Sequence, residues 1–185
     1  QNFTIVVLPD TQFYSESYPE IFDSQTKWIV ENKDKLNIKM VLHLGDLINN
    51  DNLIQQWINA NKSMSILDKK IPWTVLPGNH DFKENDSTNY ENYFGYLRFE
   101  GYGWYKGHYP NWSNLNNYAL LNINDMKLGF LNLKYMPYYP NLSALEWARD
   151  VVNENSDYTF IIITHAYIGF ATGGLGRDPK IWDNF

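Results

Sequence analysis

"PWTVLPGNHDF", residues 72–82, joins two unlike pieces of chain. Trp73 to Leu76 is an apolar run of the length and composition of a buried strand, and Pro77-Gly78 stops it. An amide, an imidazole and a carboxylate then arrive side by side: Asn79, His80 and Asp81. A plain turn has no use for all three together. The segment therefore reads as a strand whose end carries chemistry.

Working outward, the same design recurs in "IVVLPDTQ" (5–12), "MVLHLGD" (40–46) and "FIIITH" (160–165). Each apolar run delivers a metal-capable side chain just past its last residue: Asp10, Asp46, Asn79 with His80, and His165. Amphipathic stretches alternate with the runs. One helix is expected from about Tyr18 to Asn32, and a second carries Leu53, Trp57, Ala60, Met64 and Leu67 at spacings of three and four. Ser143-Ala-Leu-Glu146 has the form of a capping box, opening a third helix with Leu145, Ala148 and Val152. Tyr118 to Ile123 and Met126 to Leu133, joined by Asn124-Asp125, predict a β-hairpin. Strands alternating with helices, plus one hairpin, indicate an α/β sheet with a mixed edge. Such sheets place their sites beyond the carboxyl ends of the strands, so four chain-distant segments converge on one point.

Composition narrows the function classes. A chain of 185 residues is read as one domain over 1–185, long enough to bury roughly 70% of its unfolded surface. The formal charge of −6 argues against a broad nucleic-acid-binding face, so attraction for anions must be local, as a metal ion provides. No apolar run approaches the length of a membrane span. The absence of cysteine removes disulfides, thiolate zinc sites and cysteine nucleophiles together, and no G-x-S-x-G supports a serine hydrolase. The chain opens at Gln1 without a methionine, which a secretory signal removed upstream would explain, as would a trimmed terminus.

Taken in order, Asp10-Thr11-Gln12, Gly45-Asp46-Leu47, Gly78-Asn79-His80-Asp81 and Thr164-His165 resemble the motifs of the calcineurin-like metallophosphoesterase superfamily. The resemblance implies a four-layer αββα sandwich holding two divalent metal ions (Mn, Fe, Zn or Mg) at one end. It implies that Asp10 and Gln12 bind the first metal, that Asp46 bridges both, and that Asn79 and His165 bind the second. Asn79 and His80 would contact substrate, with the catalytic His80 close to the phosphate and held by a carboxylate. The implied activity is hydrolysis of phosphate mono- or diesters, small-molecule phosphoesters, by a water that two metals activate. The alternatives are a catalytically weak or inactive scaffold of the same fold and a nuclease of the same superfamily. The acidic charge disfavours the nuclease.

Two departures from the pattern bear on that choice. Gln12 stands where the family has histidine, and a glutamine oxygen is a harder, weaker ligand than imidazole. The family's final G-H-x-H is not found. Gly107-His108 is followed by Tyr109-Pro110 and lies upstream of His165, while the chain ends at "DPKIWDNF" (178–185), the start of a helix. The expectation is a domain short of its C-terminal strands and their two histidines. His43, inside a strand, reads as a hydrogen-bonded core histidine, and Asp81 as an anchor for the loop around it. Gly173 to Gly176 reads as a loop, with Arg177 beside it as a candidate phosphate clamp. The aromatic stretch 102–112 would either stack on a ring or cover a sheet edge.

Overall fold

The computed structural model describes residues 2–82, 86–166, 168–171, 174–177 and 179–183. The apolar runs form two main sheets, not the single sheet that alternation of strands and helices suggested. In the first, β1 (Thr4–Leu8), β2 (Ile38–His43) and β3 (Trp73–Val75) run parallel in the order β1-β2-β3. In the second, β4 (Tyr105–Tyr109), β5 (Asn116–Ile123) and β6 (Met126–Leu133) are antiparallel neighbours, and β7 (Thr159–Thr164) joins β6 in parallel.

Two-residue periodicity decides which side chains face where. Met40 and Leu42 of β2, with Leu76, meet Ala119, Ile123, Leu128, Phe130 and Ile163 between the sheets. Val41, Trp73 and Val75 point the other way, onto a helical layer that supplies Phe22, Ile29, Trp57, Met64 and Phe94. Those residues come from α2 (Pro19–Glu31), α3 (Ile54–Ser65) and α4 (Thr88–Phe94). On the far face of the second sheet, Leu145, Ala148 and Val151 of α5 (Ser143–Glu154) cover Leu131 and Leu133. The order helix, sheet, sheet, helix is an αββα sandwich.

Several local expectations change. A short helix, α1 (Gln12–Ser17), precedes α2, ahead of the Tyr18 at which the sequence places the first helix. Leu53 is the cap before α3 and is exposed, so the buried stripe begins at Trp57. The Ser143–Glu146 capping box is not made. Leu142 is the N-cap, and the Asn141 side chain instead accepts the Ser143 amide at 3.0 Å. The 118–133 hairpin forms with Ile123 opposite Met126 and Asn124 at a φ of 55°. Gly107-His108 lies in β4, at the outer edge of the second sheet, with the His108 ring 4.5 Å from that of Tyr96. Of the stretch Gly173 to Gly176, expected as loop, residues 174–176 lie in strand β9 (Gly174–Arg177), paired antiparallel with β8 (Ile168–Ala171), and α6 (Pro179–Trp182) follows. Gly173 and the Arg177 side chain lie outside what is described.

Candidate metal centre

Parallel strands end on one side of a sheet, and that topology brings the polar residues together. The loops after β1 and β2 leave the strands in tight, unusual conformations: Asp10 has a φ of 30°, Asp46 of 51° and Gly45 of 93°. Non-glycine residues take positive φ at a cost that surrounding structure must hold in place. Here it is held by close approach. A Cβ at Gly45 would come within 2.6 Å of the Gly78 nitrogen and 3.0 Å of His165 Nδ1, so the β2 and β3 ends touch backbone to backbone and the His165 ring closes on them from the end of β7.

One ligand atom from each of Asp10, Asp46 and His165 falls within 4.8 Å of the others. His165 Nδ1–H donates to the Leu44 carbonyl at 2.9 Å, which turns Nε2 toward the Asn79 amide oxygen at 3.1 Å and Asp46 Oδ2 at 3.3 Å. Asp10 Oδ1 lies 3.7 Å from Nδ1. A histidine tethered to a carbonyl through one nitrogen, with the other aimed at oxygen donors, is the arrangement that presets a metal ligand. Burial by itself lowers the His165 pKa. The Asp46 carboxylate, the Leu44 carbonyl and the Asp10 charge outweigh burial and lift it to about 9. Burial raises the Asp46 pKa, and its bonds to His165 and to the His80 amide overcome this and leave it lowered. The centre thus favours positive charge, whether a proton or a cation.

Gln12 opens α1 two residues past Asp10, and its side-chain oxygen is buried without a hydrogen-bond partner. Buried carbonyl oxygens nearly always find a donor. An orphaned one two residues past Asp10 is free to meet a cation, and the converging carboxylates of Asp10 and Asp46 with the His165 imidazole are donors that suit a divalent metal.

His80 sits on the rim. Its amide donates to Asp46 Oδ1 at 2.9 Å and its Nδ1–H to the Asn49 carbonyl at 2.8 Å. The ring is therefore held by a backbone carbonyl and not by the carboxylate expected from the sequence. With Asn49, Asn50, Asn52, Asn79 and Phe82 it lines a cleft of about 300 Å³. No side-chain pattern could reveal the Asn49 contact, because any residue supplies a carbonyl there.

Below the rim, Asp81 is fully enclosed and anchors two loops at once. It accepts the Leu47 and Ile48 amides on Oδ1 (2.8 and 3.2 Å) and the Gly78 amide on Oδ2 (2.8 Å). His43 is buried as a neutral ring. Its Nδ1 accepts the Gly45 amide at 3.2 Å, so Nε2–H donates to Thr11 Oγ1 at 3.0 Å and braces the Asp10 loop from beneath.

Residues 3–182 match the family described as calcineurin-like phosphoesterase. Over 169 residues the chain is 40% identical to the uncharacterized protein YvnB of Bacillus subtilis (strain 168), a match covering 90% of this chain and 13% of that protein's length. Among solved structures, a purple acid phosphatase, PPD1 from yellow lupin (Lupinus luteus) seeds, superposes with a TM-score of 0.55 at 14% identity, covering 94% of this chain and 32% of that one. GAP50, the anchor in the inner membrane complex of Plasmodium, gives a TM-score of 0.46 at 15% identity over 86% of this chain and 53% of its own. The lupin enzyme shares the fold, and the extent of the family match carries the assignment: the chain belongs to the calcineurin-like phosphoesterase family.

Proposed function

We propose that the protein hydrolyses phosphate mono- or diesters with two divalent metal ions, held by Asp10, Gln12, Asp46, Asn79 and His165. Metal-dependent phosphoester hydrolysis is the chemistry of its family. The observation that carries the finer reading is the convergence of Asp10, Asp46, Asn79 and His165 from the ends of β1, β2, β3 and β7. What bound metals supply is Lewis-acid charge, which acidifies water and neutralises phosphate oxygens. The chain's own residues do the rest. Asp46, nearly enclosed, sets one carboxylate oxygen 3.3 Å from His165 Nε2 and shares the cluster with Asp10, so it would be within reach of both metals. Asn79 adds an oxygen donor without adding negative charge, which leaves the centre attractive to a phosphate. His80, fixed through Nδ1, lines the cleft, and in its imidazolium form Nε2–H could donate a proton to a leaving oxygen there.

The scaffold reading keeps one specific support, Gln12 in place of a histidine. One experiment separates the two. The full-length protein is analysed for metal content and for turnover of an aryl phosphate and an aryl phosphodiester, beside Asp46→Asn. Hydrolysis is expected to fall about a hundredfold or more in the variant, with reduced metal content. Undiminished turnover in Asp46→Asn would refute the two-metal reading, and no turnover in either protein would favour a scaffold.

A further inference from the structure

Beside the centre lies a second cavity, of about 320 Å³, for which the hydrolysis of the phosphate itself has no use. Phe82 lines both this cavity and the cleft that holds His80. Tyr109 and Pro110 enter it from the end of β4, and Tyr139 and Pro140 from the loop after β6. Lys134, the first residue past β6, is the cation of a lining that also holds Asn116 and Asn141, with Nζ 5.8 Å from the centre of the Phe82 ring. The next residue ties this wall to the centre. The Tyr135 amide donates to the Pro77 carbonyl at 3.0 Å, and its ring stands edge-on to His165 with centroids 6.0 Å apart.

The lining has a definite chemistry. Aromatic and proline faces favour flat rings, and they leave a ring-bearing ligand little reason to prefer water. Lys134 is half-buried. Its ammonium donates to the Tyr139 carbonyl at 3.0 Å, and among the described residues it forms no ion pair. Among the described residues no second acceptor meets its ammonium, and a cation in an apolar wall selects for an anion or a strong acceptor.

We propose that this cavity is the specificity subsite for the organic group of the phosphoester: a flat ring packed among Phe82, Tyr109 and Tyr139, bearing an anionic substituent that meets Lys134. The inference rests on the phosphoester reading above and extends it to a substrate class. The shared Phe82 wall lets one molecule place its phosphate at the centre and its ring in the cavity.

Binding tests it without turnover. Calorimetric titrations of the metal-loaded full-length protein compare methylphosphonate, phenylphosphonate and 4-carboxyphenylphosphonate, whose carbon–phosphorus bonds resist hydrolysis. Phenylphosphonate is expected to bind about tenfold more tightly than methylphosphonate, and the carboxylated ring several-fold more tightly again. Lys134→Met should erase the advantage of the carboxylate while keeping that of the ring. Tyr139→Ala, at a residue 57% exposed and outside the core, should shrink the advantage of the ring itself. Equal affinities for the three phosphonates, or ratios unchanged in both variants, overturn the proposal. Turnover of an aryl phosphate is measured separately. Graded binding without turnover would retain the subsite and remove the hydrolase reading, whereas turnover with equal affinities would do the reverse.

Discussion

His43 is fully enclosed between the strand-end loops and accepts a backbone amide on the nitrogen that protonation would occupy. Burial therefore depresses its pKa to about 3, with the neighbouring Asp46 charge working weakly the other way. In the unfolded chain the ring titrates near 6.5. The unfolded state thus takes up the proton first as pH falls. The contribution of His43 to stability is complete above about pH 6.5 and is lost progressively down to about pH 3. At roughly 1.4 kcal/mol per unit, a drop to pH 5 costs about 2 kcal/mol. Carboxylates titrate over the lower part of the same range, so the informative quantity is a difference. Denaturant unfolding between pH 4 and 7 should show a steeper loss in the native protein than in His43→Gln, by close to one proton. Parallel slopes in the two proteins would mean that His43 takes up its proton as readily in the fold as in the unfolded chain.

At the scale of elements, the centre depends on how closely the loops after β2 and β3 approach. Gly78 does not need a special backbone angle. It is glycine because a Cβ there would lie 2.5 Å from the Asp46 amide nitrogen and collide with the Asp46 carboxylate. Gly78→Ala should therefore push the two loops apart, costing roughly 1–3 kcal/mol and weakening metal binding beyond what that loss of stability explains. Denaturation and metal titration on the same variant test both parts, and unchanged metal affinity would count against loop contact as the organising feature. This contact was half legible in the sequence. A strand, a glycine and a polar cluster marked each loop end, because strand hydrophobicity and glycine are local signals. The contacts between loops were not legible, since the Asn49 carbonyl under His80 and the three amides on Asp81 belong to backbone whose position only the fold sets. Local signals also misled where tertiary contacts overrode them. Gln12–Ser17 has no apolar stripe yet is helical, with Ser15 bonded to the Leu47 carbonyl at 2.6 Å. Ser143 to Glu146 has a capping-box pattern, yet Asn141 does the capping.

For the whole molecule, the continuous apolar runs of β2 and β6 mark strands buried on both faces, but not what each face meets. Met40 and Leu42 meet a second sheet, as the four-layer sandwich implied by the family resemblance requires; the alternation of strands with helices suggests only one sheet, because a local pattern records burial without naming the partner. The same arrangement leaves four strands at the ends of the two main sheets, and β1 and β7 are the two that combine a sequence apolar apart from threonine with exposed aliphatic side chains. β1 ends the order β1-β2-β3 and β7 ends β4-β5-β6-β7, and neither has a further paired strand among the described residues. Their sequences, "TIVVL" and "TFIIIT", contain no charge, proline or bulge-forming glycine of the kind that blunts an edge. Val7 is 47% exposed, and Ile161 and Ile162 are 37% and 38% exposed. Uncovered apolar strands with free amides and carbonyls are templates for pairing with another chain. The 185-residue chain by itself is therefore expected to self-associate as its concentration rises, despite a net charge of −6 that opposes association. Val7→Lys combined with Ile162→Lys should shift it toward monomer, since both side chains reach solvent and the core loses little. Sedimentation velocity over a concentration series, with circular dichroism to verify the fold, reads the effect. A native chain that stays monomeric at every concentration, or a double variant that associates just as strongly, would show that these edges are not sticky and that their apolar residues serve another purpose.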